Sequence, residues 1–141
     1  MAEPAGPVVA LDLGEARIGV AVSDPERTVA LPSGTIRVSG GVEDLKAVAR
    51  LVERSGATEV VVGHPISLSG EPGSSARRAE EFARGLGLLL KVPVHLQDER
   101  FSTVEAEREL RAAGARGRDL RKAVDASAAA VILESFLAAR R

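Results

Sequence analysis

The sequence predicts an α/β domain: a mixed five-stranded sheet, three antiparallel strands followed by two parallel ones, flanked by helices. Three observations carry this. Two β-rich apolar runs, 8–13 and 17–23, are joined by "GEA" and read as a hairpin. A later run, "EVVVGHP", is continuously apolar, the pattern of a strand buried on both faces in a parallel sheet, and "VPVHLQ" reads as another strand after it. Segments of helical period separate these runs, so helix and strand alternate through the later part of the chain. A length of 141 residues suits one domain with a proper core. Residues 1–7, "MAEPAGP", are expected to form a disordered tail and 8–141 a single domain.

Taken in order, "GTIRV" at 34–38 is the third strand. In "GGVEDLKAVARLVERSG", Val42, Leu45, Val48, Ala49, Leu51 and Val52 recur at near-helical spacing, and Gly56 closes the helix. The fourth strand, "EVVVGHP", stops at Gly63 and Pro65. "ISLSGEPGSS" is a polar, Gly-rich loop, and a helix is expected from about Ser75 to Leu90. After the fifth strand, "STVEAERELRAAG" opens with Ser102 and Glu105 in capping-box spacing and ends at Gly114. "ARGRDLRK" reads as a basic connector, and "AVDASAAAVILESFLAAR" as a last, Ala-rich helix whose sheet-facing side holds Val124, Ala128, Val131, Ile132 and Ser135 or Phe136.

Composition narrows the classes of function. With no Cys, disulfides and thiolate metal sites are excluded. No apolar run approaches the roughly 20 residues of a membrane span, and the N-terminus lacks the features of a secretory signal. A cytoplasmic protein without a membrane partner is expected. The net charge of −1 does not advertise a nucleic-acid binder, but Arg111, Arg116, Arg118, Arg121 and Lys122 face only Asp119 in the stretch 111–122.

Three acids raise the question of chemistry. Asp12 interrupts the first apolar strand, and its neighbours Leu11 and Leu13 should point to the opposite face. A buried carboxylate needs hydrogen bonds, a cation or a metal, so Asp12 either bonds to turn amides near Gly14 or holds a ligand. Asp98 and Glu99 directly follow the fifth strand; adjacent residues point opposite ways, so only one of them faces a shared site. Asp125 opens the last helix, where an acid complements the helix dipole. Converging at one edge of the sheet, the three acids would form an oxygen-only ligand set for Mg²⁺ or Mn²⁺. Two such ions can activate a water and stabilise the leaving oxygen of a phosphodiester.

The stretches "DLGEARIGVAVSD", "VVVGHP", "DERFST", "AERELRAAG" and "VDASAAAVIL", in this order, resemble the bacterial YqgF family, also called RuvX, from about Val8 to Leu137. The resemblance implies a ribonuclease H-like fold and metal-dependent nuclease activity, on the 16S ribosomal RNA precursor or, alternatively, on four-way DNA junctions. It assigns catalytic and metal-holding roles to Asp12, Glu99 and Asp125, with Asp98 as the other member of its motif. Where family members commonly carry an aliphatic residue after "VVG", this chain has His64, for which a structural role is expected.

Arg17 and Arg100 adjoin the acids and either bind phosphate or orient carboxylates. Arg116, Arg118, Arg121 and Lys122 are the expected contacts to the nucleic-acid backbone, whereas Arg77 and Arg78 read as a solvated face. With three Phe and no Tyr or Trp, base stacking is little used. The resemblance implies a ribosomal RNA precursor or branched DNA as the partner, bound by a monomer or, for a two-fold junction, by a homodimer. Two other classes were weighed: a binding protein that keeps the fold without the chemistry, and an actin-like sugar kinase, whose phosphate-holding hairpin "DLGEARIGVAV" resembles. The acid set weighs against the first, and the need for a second domain against the other.

Overall fold

The computed structural model describes residues 6–65, 73–98, 112 and 117–140, with the side chains of 117–125 outside that description. Five strands, β1 (Val8–Leu13), β2 (Arg17–Ser23), β3 (Ala30–Arg37), β4 (Glu59–His64) and β5 (Val94–Asp98), form one sheet in the order β3-β2-β1-β4-β5. β1 pairs antiparallel with β2, and β2 with β3; β1 pairs parallel with β4, and β4 with β5. This is the mixed sheet that the sequence predicts.

Helices α1 (Gly41–Ser55), α2 (Ser74–Leu89) and α3 (Gly117–Ala138) cover it. α1 ends where expected, at Gly56, whose φ of 71° is left-handed and costs a residue without Cβ little. At its start the buried Asp44 carboxylate accepts the Ser39 and Gly40 amides at 2.8 and 3.0 Å. Val48 and Val52 are buried as predicted, while Val42 is exposed.

The sheet divides the core in two. On one face Val9, Leu11, Ile18, Val20, Val60 and Val62 pack with Val48 and Val52 of α1 and with Ala79 and Leu86 of α2. On the other, Val8, Ala10, Ala21 and Val61 pack with Ala129, Ile132, Leu133 and Phe136 of α3. Strand alternation produces both faces from the same apolar runs. The small Ala10 and Ala21 oppose Ala129 and Ala130, so α3 lies close to the strands.

Four expectations are corrected. β3 begins at Ala30, not near 34, and it carries Pro32; the ladder survives because β3 is an edge strand with a register shift opposite Gly19/Ala21. The connector "ARGRDLRK" is helical from Gly117 onward: its Arg, Leu and Lys are good helix formers, and one Gly at the helix start does not outweigh them. On α3, Ala128 and Ile132 are buried as predicted and Phe136 is the buried member of the Ser135/Phe136 alternative, but Val131 is half-buried, and the Val124 side chain lies outside the description. The last two residues of the expected tail are held in place: the Gly6 amide donates to the Pro25 carbonyl, and the Thr58 amide to that of Pro7. The helix expected at 102–114 and the loop at 66–72 lie outside the described residues.

Candidate active site at the carboxyl ends of the parallel strands

Asp12 lies one residue before the end of β1 and is half-buried. Leu11 and Leu13 belong to the α1/α2 side of the core, so alternation puts Asp12 on the α3 side with Val8 and Ala10. Its partner on β2 is Gly19. The β1–β4 register runs to Leu11↔Val62, which makes Gly63 the neighbour of Asp12 in β4. Glycine therefore stands on both sides of the carboxylate within the sheet. No side chain from either adjoining strand crowds that position, and the strand tolerates an acid because it ends there, half-buried.

The turn after β1 is closely packed. The Gly14 amide donates to the Arg17 carbonyl at 2.9 Å, and a Cβ on Gly14 would stand 2.6 Å from that oxygen. From α2, Arg78 donates through one Nη to the Gly14 carbonyl at 2.8 Å. Sequence reasoning placed Arg78 on a solvated face; only the packing of α2 against the hairpin reveals this tie between it and the turn behind Asp12.

His64 and Asp98 are paired in the β4–β5 register, and both share the parity of Val60 and Val62, facing the α1/α2 side. The His64 Nε2 atom lies 3.0 Å from Glu80 Oε1 of α2. His64 thus ties β4 to α2 on the face opposite Asp12, the structural role expected of it. Asp98 is exposed and also points away from the face of Asp12. Glu99 and Arg100 lie outside the described residues.

On α3, Asp125 stands four residues before Ala129, seven before Ile132 and eleven before Phe136, the spacing of the row that packs on the Asp12 face. The backbones of Arg118, Arg121 and Lys122 belong to the first turns of this helix, and Arg116 lies outside the described residues. Among the described residues no three His, Asp or Glu side chains form a metal cluster; Glu99 and the Asp125 side chain are not among them.

Arg17 has the parity of Gly19 and stands diagonally from Asp12 on the same face, within reach of a long side chain. Both residues are engaged in polar or ionic contacts. Arg17 pairs directly with Arg37 of β3, a basic residue that sequence reasoning did not single out because no motif marks it.

At the other end of the sheet the charges are tied to one another. Arg27 donates to the Gly6 carbonyl at 2.9 Å and to Thr58 Oγ1 at 3.2 Å, and it lies 3.6 Å from Glu59. Glu59 is also 3.6 Å from His95, whose ring packs on Phe136.

A mixed sheet of this order, with an acid late in the first strand and the last helix packed over its face, defines the ribonuclease H-like class of α/β domains. In agreement, the fold is similar to that of Thermus thermophilus RuvC in complex with a Holliday junction substrate, at a TM-score of 0.56 and 18% identity over 96% of this chain and 95% of that one. Within that class, the chain belongs to the RuvX family, described as Holliday junction resolvase, whose model matches residues 6–139. It is 47% identical over 127 residues to the "Putative pre-16S rRNA nuclease" of Anaeromyxobacter dehalogenans, covering 90% of this chain and 93% of the relative. A protein of the same name from Chloroflexus aurantiacus is 40% identical over 134 residues, 95% of this chain and 88% of the relative.

Proposed function

We propose that this protein is a metal-dependent phosphodiesterase that hydrolyses structured nucleic acid, with the 16S ribosomal RNA precursor in the cytoplasm as its substrate. The observation that carries the reading is the position of Asp12: a carboxylate with glycine on either side, at the carboxyl end of a parallel strand, on the face covered by α3. Ligand sites in open α/β sheets gather at such ends. Relatives at 40–47% identity, matched over 90–95% of this chain, bear the name pre-16S rRNA nuclease, which supports the choice of substrate.

The donor set fits a hard divalent cation. Asp12, Glu99 and Asp125 offer only carboxylate oxygens, and Mg²⁺ or Mn²⁺ prefers oxygen. Asp12 occupies β1, and Asp125 continues the helical row that packs over its face. The C-terminal turns of α3 sit against Thr28–Ala30, near the start of β1, so the earlier turns, Asp125 included, extend away from that end. Of the adjacent pair, Asp98 points to the opposite face, which favours Glu99. When bound, such ions supply an activated water and neutralise charge at the leaving oxygen. The protein's own part is to fix the carboxylates and hold phosphate with cationic side chains: Arg17 and Arg100, next to the acids in sequence or on the same face, and Arg116, Arg118, Arg121 and Lys122 of the basic stretch that leads into α3.

Incubation of the purified protein with precursor-like RNA, single-stranded RNA and a four-way DNA junction, each with Mn²⁺, Mg²⁺ or EDTA, tests this. Cleavage of the precursor-like RNA that needs metal and is lost in Asp12→Asn is expected. Preference for the junction, with a dimer in solution, would move the role to recombination. Binding without cleavage under every condition would make the protein a nucleic-acid-binding module.

A further inference from the structure

The cross-strand pair Arg17↔Arg37 is unusual on elementary grounds. Two residues directly opposed in an antiparallel ladder bring their Cβ atoms to about 4.5–5.5 Å, and like charges there are destabilising. Arg17 ends β2 on the hairpin side and Arg37 ends β3, the edge strand. Both share the parity of Gly19, which faces Asp12's side of the sheet. The ladder at this level is firmly closed, since the next residue, Val38, donates its amide to the Ala16 carbonyl at 2.9 Å. The backbone therefore holds the two arginines side by side. Arg37 is exposed, and among the described residues no acid pairs with it.

We infer that Arg37, beside Arg17, is a phosphate contact that leads the nucleic-acid backbone across β2 and β3 to the Asp12 centre. The inference rests on the nuclease reading and adds a direction: the strand enters over the β3 edge. Arg37, in register beside Arg17, extends the positive charge of that face to the sheet edge, and Arg presents a fork that matches phosphate. A phosphate contact of this kind positions the substrate without reading sequence.

The test separates this from a solvated arginine. In an Asp12→Asn background with EDTA, so that nothing is cleaved, the affinity for labelled precursor-like RNA is measured across salt concentrations, with and without Arg37→Gln. The expected result is a slope of log K against log salt that is shallower by about 0.7–0.9, the value of one phosphate contact, with affinity weakened about threefold to tenfold at low salt. Arg37→Lys should retain the slope, and Arg50→Gln, an exposed position on α1 across the sheet, should leave it unchanged. In the cleaving protein Arg37→Gln should raise KM and spare kcat. An unchanged slope in Arg37→Gln, or an equal loss in Arg50→Gln, overturns the inference. If the Asp12→Asn parent binds no nucleic acid at all, the nuclease reading fails first and takes the inference with it.

Discussion

The two ends of the sheet use charge in opposite ways. At the amino end of β1 and β4, Arg27, Thr58, Glu59 and His95 are spent on one another and on the Gly6 carbonyl. At the carboxyl end, Asp12 has glycine on both sides, and two arginines stand opposed on its face. The first arrangement ties the segment at Gly6, the start of β4 and β5 together, with Glu59 Oε2 and His95 Nε2 held in 3.6 Å ion pairs and without a hydrogen-bond partner among the described residues. The second brings a half-buried acid and two arginines together on one face at the carboxyl ends of the strands, where ligand sites in such sheets gather. Removing charge at the amino end should therefore cost stability and spare activity, and at the carboxyl end the reverse.

The largest effect is expected at Asp12. Asp12→Asn keeps size and shape but removes the ligand charge, and losing several kcal/mol of metal-derived stabilisation lowers cleavage by about a thousandfold or more. Thermal melting should change little, because Asn keeps the size and the hydrogen-bonding capacity of the side chain. A melting temperature that falls together with activity would make Asp12 a structural acid and erase the contrast between the ends.

Arg27→Ala is the mirror experiment. It removes the contacts to the Gly6 carbonyl, Thr58 and Glu59 and leaves the Glu59–His95 pair at 3.6 Å. A loss of about 2 kcal/mol is expected in denaturant unfolding, in the range for removing a charged hydrogen-bond partner. The cleavage rate per folded molecule should match the parent protein; a rate loss would mean the two ends are coupled through β1 and β4.

A third comparison lies within the carboxyl end. His64→Leu and Arg78→Met each cut one tie between α2 and the strands, but only the Arg78 tie reaches the turn behind Asp12. Arg78→Met should slow cleavage about tenfold through misplacement of that turn, while His64→Leu stays within about twofold. Equal effects from both would show that α2 acts only as a lid on the core.

How much of this was legible in the sequence follows from what sequence patterns record. The continuous run "VVALDL" announced a buried strand and its one acid, because period and polarity are local properties. The opposite orientation of Leu11 and Leu13 followed from alternation and holds. The position of β3's start did not, since Pro32 argues against a strand unless that strand is known to lie at an edge, and edges are set by the whole sheet. Arg37 and Arg78 escaped notice for the same reason: each acquires its role from a partner on another element, Arg17 across the ladder and Gly14 across the layer. The pairing of His64 with Glu80 is likewise a fact of packing between residues 16 apart.

The smallest effect separates the ends by pH. Asp24, in the turn between β2 and β3, accepts the Thr28 hydroxyl and the amides of Val29 and Thr28. The Thr28 hydroxyl, then the Val29 amide, lower its pKa below the ordinary 3.8, against a slight opposing effect of burial. Folding thus favours the ionised form, so this contribution is fully present above 3.8 and disappears as pH falls through the lower folded value. Asp24→Asn should melt slightly below the parent protein at neutral pH, and the gap should close as the scan is repeated toward pH 2. Because this turn belongs to the amino end of β1, the variant should cleave nucleic acid at the parent rate throughout the range where both are folded. A gap that does not narrow at all as pH falls below 3.8 would mean the turn is held by shape alone, and the charges of that end would then contribute less to the fold than their contacts suggest.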